Sequence, residues 1–297
     1  MRKAFAAAVI AHCATPQHFF LTGDLGFMAL EEVQAVFGNR FINAGVAEQN
    51  MIGVAAGLAR EGNTVFAYSI APFCYARPFE QIRNDVCLPG LPVCLVGNGG
   101  GFAYGHMGPT HHALEDCAAM MALGMDVKVP VFDEDLPALL QDLHRPTYLR
   151  LGYDARPSGH PVPAYAPWRQ LLPGERGVMA ALGPMAGVAW SALAELPMAA
   201  RPAVWAVAEP DVRQLPDAMI AQLRGGPLYV VEEHVREGGL GMSLAAAVLT
   251  GGHAVGPFIH RHALRYPSGR FGSQQFHRHE CGLDAESLHA MVREQTA

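Results

Sequence analysis

Between Phe19 and Leu151 apolar runs of strand length alternate with helical stretches, and this alternation constrains the fold more than any other feature of the chain. The strand-like runs are Phe19–Thr22, Arg40–Asn43, Thr64–Tyr68, Pro92–Gly97, Asp126–Pro130 and Thr147–Leu151; the patterning predicts helices near 28–37, 47–60, 73–87, 113–123 and 134–144. A chain alternating in this way folds as a parallel sheet covered on both faces by helices, and ligands gather at the carboxyl ends of its strands. The loops expected there are Gly23-Asp24-Leu25-Gly26, Asn43 to Glu48, Ser69 to Phe73 and Asn98 to His112. Pro157, Pro161, Pro163 and Pro167 then interrupt the pattern, a composition that suits an extended linker. The expected layout is therefore α/β with two domains, 1–155 and 171–297, joined by a proline-rich linker over 156–170. Each domain should be a mainly parallel sheet with helices on both faces. In the second, strands are expected near 177–182, 203–208, 227–232 and 254–259, with helices near 185–195, 214–224, 238–250 and 284–294.

At 297 residues, 51% hydrophobic and 16% charged, the chain can bury substantial cores. A net charge of −6 without a basic stripe excludes nucleic acid as an expected partner. No uncharged apolar run reaches membrane-spanning length, so no membrane association is expected. The first residues, Met1-Arg-Lys-Ala-Phe through Ala11, superficially resemble a signal peptide, but the apolar part is short and His12, Gln17 and His18 follow it. The six cysteines contain no CxxC pair, which points to reduced thiols and a cytoplasmic setting.

Within the segment Phe41 to Arg60, a short strand runs into an Ala/Gly-rich helix carrying Glu48. Three, four and seven residues on stand Met51, Ile52 and Ala55, so the acid shares the apolar face. A buried carboxylate costs several kcal/mol unless it is paired or hydrogen-bonded, and a cofactor ring nitrogen is one partner available from outside. The small residues Ala47, Gly53, Ala56 and Gly57 leave room for a close approach by another helix or a ligand. In Tyr68-Ser-Ile-Ala-Pro-Phe73-Cys-Tyr-Ala-Arg77, turn residues place Phe73 at a helix start, where its ring could stack on a heteroaromatic ligand. Phe79 and Ile82 are expected in the core. The loop Gly97 to Asp116 contains His106, His111 and His112, but Gly108-Pro109 imposes a turn between them. Their spacing matches no zinc helix, and proton transfer or polar substrate contact is the better expectation.

Arg40-Phe-Ile-Asn-Ala-Gly-Val-Ala-Glu-Gln-Asn50, Arg77-Pro-Phe-Glu-Gln-Ile-Arg-Asn84 and Met107-Gly-Pro-Thr-His111, in this order, resemble the pyrimidine-binding domain of transketolases and deoxyxylulose-phosphate synthases. Val230-Val-Glu-Glu-His234 followed by Gly238-Gly-Leu-Gly241 is similar to their carboxyl-terminal domain. The resemblance implies a thiamine diphosphate enzyme passing a two-carbon or acyl unit from a keto donor to an acceptor. On it, Glu48 matches the glutamate that hydrogen-bonds N1′ of the aminopyrimidine, and Phe73 the aromatic that stacks on that ring. Ile70 lines the cofactor, Asp24 lies near it at an interface between subunits, and His111 contacts substrate.

Two departures qualify the resemblance. The family's metal and diphosphate motif, Gly-Asp-Gly followed by Asn, is absent from these residues, and Gly23-Asp24-Leu25 is not it. The expected arrangement is a split enzyme in which a second polypeptide holds Mg2+ and the diphosphate, giving an α2β2 assembly, with no metal ligands on this chain. The second departure lies where sugar-phosphate transketolases carry a phosphate-binding serine, a phosphate-binding arginine and an acid before Gly-Pro-Thr-His. This chain has Met28, Tyr153 and Met107 there, with Arg150 and His106 as neighbours able to compensate. Each change favours a substrate that is less phosphorylated or more apolar than the usual pentose phosphates. The rival expectations are the β chain of a 2-oxo-acid dehydrogenase-like complex, which Gly108-Pro-Thr-His-His112 disfavours, and a non-catalytic paralogue with a scaffold role. His234 is expected in a structural or interface role, or facing the site, and the His277-Arg-His-Glu280 tail at the surface.

Overall fold

The computed structural model describes residues 1–295. In chain order the first half comprises α1 (Arg2–Cys13), β1 (His18–Thr22), α2 (Glu31–Phe37), β2 (Phe41–Asn43), α3 (Glu48–Arg60), β3 (Thr64–Ile70), α4 (Ala71–Ala76), α5 (Phe79–Gln81), β4 (Val93–Asn98), α6 (Asp116–Ala122), β5 (Asp126–Lys128), α7 (Leu136–Leu139) and β6 (Thr147–Leu151). Its strands form one parallel sheet in the order β2-β1-β3-β4-β6-β5. The chain turns back across the sheet between β1 and β3, so the loops leaving these two strands flank the switch point where such sheets take their ligands.

The second half comprises β7 (Trp168–Leu172), β8 (Val178–Leu182), α8 (Met185–Leu193), β9 (Ala203–Val207), α9 (Asp217–Leu223), β10 (Leu228–Val231), α10 (Leu240–Thr250), β11 (Phe258–Arg261), α11 (Gln274–Glu280) and α12 (Ala285–Glu294). The sheet order is β11-β10-β8-β9-β7, parallel except for β7 against β9. Both domains are therefore the expected α/β units. Strand β7 begins inside the proline-rich stretch; its Trp168, Leu171 and Leu172 are buried, and tertiary burial overrides the local composition.

One apolar cluster packs Met51, Ile52, Val65, Leu95 and Cys117 of the first domain together with Ala180, Trp205, Val230 and Leu244 of the second, so a single core crosses the boundary. On the opposite face of the first sheet, α1 buries Phe5 and Val9 against Phe20, Phe66 and Leu140. This helix was not expected from the sequence, although Phe5 and Val9 are spaced for one helical face. The helix expected over 73–87 is divided into α4, α5 and a π-turn over Ile82–Cys87. Arg77 keeps helical backbone, but Pro78 has no N–H to continue the ladder. One consequence corrects the sequence reading: Phe79 is 37% exposed, while Ile82 is in the core as expected.

The tail is also corrected. His277 is buried, its ring stacked at 4.8 Å on Phe102. The neighbouring Arg278 pairs with buried Glu233, which also accepts from the Phe102 amide at 2.6 Å and from Gln274 at 2.9 Å. A polar-looking segment is drawn inward because Glu233 needs cations and donors once buried. No helix among the described residues is long and apolar enough to cross a membrane.

Candidate functional site

Glu48 opens α3 and is only 3% exposed, above the buried Met51, Ile52 and Ala55. Its partner comes from the chain itself. One Nη nitrogen of Arg77 lies 2.9 Å from each Glu48 oxygen, and the Ser69 hydroxyl, at the end of β3, donates to one of them over 3.5 Å. The Arg77 guanidinium also sits 3.8 Å from the centre of the Phe73 ring. The edge of His111 approaches the same ring at 5.1 Å, its Nδ1 2.9 Å from the Thr110 hydroxyl. The fold thus brings together Glu48, Phe73 and His111, which lie far apart in sequence. Arg77 and Ser69 were not anticipated. The signal for Arg77 was present, since a residue four after Phe73 across a helical turn can lay its side chain on that ring.

Around this centre, Asp24 adopts a left-handed conformation, φ 59°, and is fixed by Asn43. The Asp24 amide donates to the Asn43 side-chain oxygen at 3.0 Å, and the Asn43 amide group donates back to the Asp24 carboxylate at 2.8 Å. The adjacent Gly23 lies against Ser69 and Glu48, with 3.8 Å from its ideal Cβ position to a Glu48 oxygen. Ile70, half-buried, ends β3 and caps α4 in extended conformation. A buried carboxylate beside an aromatic face, with a flat N–H-donating cation already set between them, matches the chemistry of an aminopyrimidine ring. These residues fit the pyrimidine half of thiamine diphosphate.

The remaining site candidates are exposed: Met28 is 78%, Met107 55% and Tyr153 56% exposed, and His106 is exposed beside Met107 in the chain. Tyr153 lines a cleft of about 400 Å³ with Asn98, Tyr104, Arg2 and Lys3. These two cations on α1 were not among the expected site residues. Arg150 cannot serve as a compensating phosphate ligand: it is buried, with Nε 2.8 Å from Asp116 and Nη2 donating to the carbonyls of Ala113 and Glu233. The three histidines diverge. His112 turns inward, between the Tyr266 hydroxyl at 2.9 Å and the Gly105 carbonyl at 3.1 Å, and no group of three or more His, Cys, Asp or Glu among the described residues is arranged for a metal. His234 is fully buried, accepting from the Ala118 amide at Nε2 and bonded through Nδ1 to the Val235 carbonyl, a structural position.

Several known proteins are similar to this chain. A subunit of the apulose-4-phosphate transketolase of Phocaeicola vulgatus is 36% identical over 140 residues, and the match spans 46% of this chain and 45% of that protein. The corresponding apulose-4-phosphate transketolase subunit from Actinobacillus succinogenes is 29% identical over 265 residues, 85% of this chain and 83% of the relative. Among solved structures, one titled "Split gene transketolase, inactive beta4 tetramer" superposes with a TM-score of 0.83 at 29% identity, covering 99% of this chain and 97% of that one. The model of the family described as "Transketolase, pyrimidine binding domain" matches residues 1–153, and the chain belongs to that family, in a form resembling split-gene transketolase subunits.

Proposed function

We propose that this chain is the pyrimidine-binding component of a two-chain, thiamine diphosphate-dependent enzyme that transfers a ketol or acyl unit from a keto donor to an acceptor aldehyde. The observation that carries the reading is the buried Glu48 carboxylate, linked through Arg77 to the face of Phe73 beside the switch point of the sheet. When bound, the cofactor supplies an electron sink for the carbanion formed on breaking the donor's carbon–carbon bond. Glu48 would hold N1′ of the aminopyrimidine, in a low-dielectric position that strengthens the hydrogen bond. Phe73 would stack on the ring, Ile70 would flank it, and Asp24, locked by Asn43, would lie near it at an interface between chains. His111 would exchange a proton with a substrate oxygen.

On this reading Mg2+ and the diphosphate would be held by a partner chain, with α2β2 as the proposed assembly; the naming of the relatives as subunits supports this division. For the substrate, the uncharged side chains of Met28, Met107 and Tyr153 support a molecule other than the usual pentose phosphates. Arg2 and Lys3 beside Tyr153 provide charge for one anionic end, in keeping with relatives named for apulose 4-phosphate. The test is Glu48→Ala in the reconstituted pair. Turnover should fall at least about a hundredfold with co-purification of the two chains intact; unchanged turnover would refute the assignment.

A further inference from the structure

Glu48 and Phe73 are already engaged, and by one group. The Arg77 guanidinium is planar, cationic and rich in N–H donors; it donates to both oxygens of Glu48 and covers the face of Phe73. An aminopyrimidine held by the same two residues would require the same volume, the same acceptor and the same ring face. We propose that Arg77 is an internal stand-in for the pyrimidine, a latch that must leave before a flat nitrogen heterocycle can enter, so that the site is selective for ligands able to replace a guanidinium on both counts. This inference rests on the functional reading above and adds to it a residue that competes with the ligand.

The surroundings of Arg77 make such an exchange feasible. Its side chain is 44% exposed, and Glu48 is the only side chain among the described residues that accepts a hydrogen bond from it. It sits at the C-terminal end of α4, immediately before Pro78, with its backbone carbonyl accepting from Gln49 at 3.3 Å. Water can take over the guanidinium as it swings out on its flexible stem. Glu48, by contrast, is buried and cannot be left without a partner, because an unpaired buried carboxylate is costly. Departure of Arg77 is therefore favourable only when a donor takes its place. The latch keeps the acid ionically satisfied and admits only those occupants that donate to Glu48 while lying flat on Phe73.

The test uses the chain reconstituted with its partner, titrated with thiamine diphosphate and Mg2+ by calorimetry, with binding rather than turnover as the readout. Removing the competitor should tighten binding about five- to thirtyfold in Arg77→Met, the combined size of a half-exposed ion pair and a cation–π contact read as a population of open latch. Arg77→Gln, of similar length but uncharged, should shift in the same direction and guards against a folding defect peculiar to one variant. In the wild-type chain, the Arg77 side-chain Nε–H resonance, assigned by its disappearance in the variant, should move on titration. Binding equal to or weaker than wild type in both variants, with wild-type binding still abolished by Glu48→Gln, would overturn the latch and leave the functional reading standing. Binding indifferent to Glu48→Gln, or no response from any of the reconstituted pairs at millimolar ligand, would overturn both.

Discussion

His112 shows how a histidine next to a substrate-loop candidate can be committed elsewhere. The Gly105 carbonyl requires a proton on Nε2, so Nδ1 accepts from the Tyr266 hydroxyl, whose own pKa is pushed up to about 12 by burial and by Glu115. Burial lowers the His112 pKa below the ordinary 6.5. Because the unfolded chain then binds the proton more tightly, stability is fully present above pH 6.5 and declines as pH falls through the lowered folded value. Thermal melts from pH 8 to 5 should show this slope, and His112→Gln should flatten it; an identical slope in the variant would remove His112 as its source. The preceding residue behaves differently. His111 stands against Phe73 and, if it contacts substrate as proposed, His111→Ala should lower turnover with little change in melting temperature.

Among elements, the loop between β4 and α6 carries the exposed His106 and Met107 as well as His111, and its position depends on Gly101. That residue has φ +65°, and a Cβ added there would lie 2.2 Å from a Glu233 carboxylate oxygen, pressing on the side chain that holds the Phe102 amide. Gly101→Ala should therefore destabilise the protein by about 1–3 kcal/mol, measured by chemical denaturation, through backbone strain together with overpacking. Sequence patterning located this loop and its histidines, because glycine clusters and a Gly-Pro turn are local signals. It did not show that the loop is pinned from the other domain, since Phe102 and Glu233 are 131 residues apart. Nor did it divide the segment after β3 into short pieces. Apolar periodicity over 73–87 is helical, and Pro78 together with the π-turn broke it.

For the molecule as a whole, the shared core and the Glu233 cluster join the two sheets into one cooperative unit. Glu233→Ala should cost about 3–5 kcal/mol by leaving Arg278 without its buried partner. Calorimetry should then resolve two transitions where the wild type shows one; a single transition with unchanged midpoint would refute the coupling. Taken by itself, the sequence determined the α/β class with its two mainly parallel sheets, the placement of Glu48 on a buried helical face, and Phe73 at a strand's carboxyl end. All of these follow from spacing within one element or between neighbours. Only the tertiary structure decided what meets Glu48, which is Arg77 lying over Phe73. It also decided that His277 is buried, that Arg150 is consumed by Asp116 and two carbonyls, and that Arg2 and Lys3 stand beside Tyr153. Such pairings join distant residues through desolvation, which penalises a buried group for every unmet hydrogen bond, and no local period encodes which distant side chain will meet it.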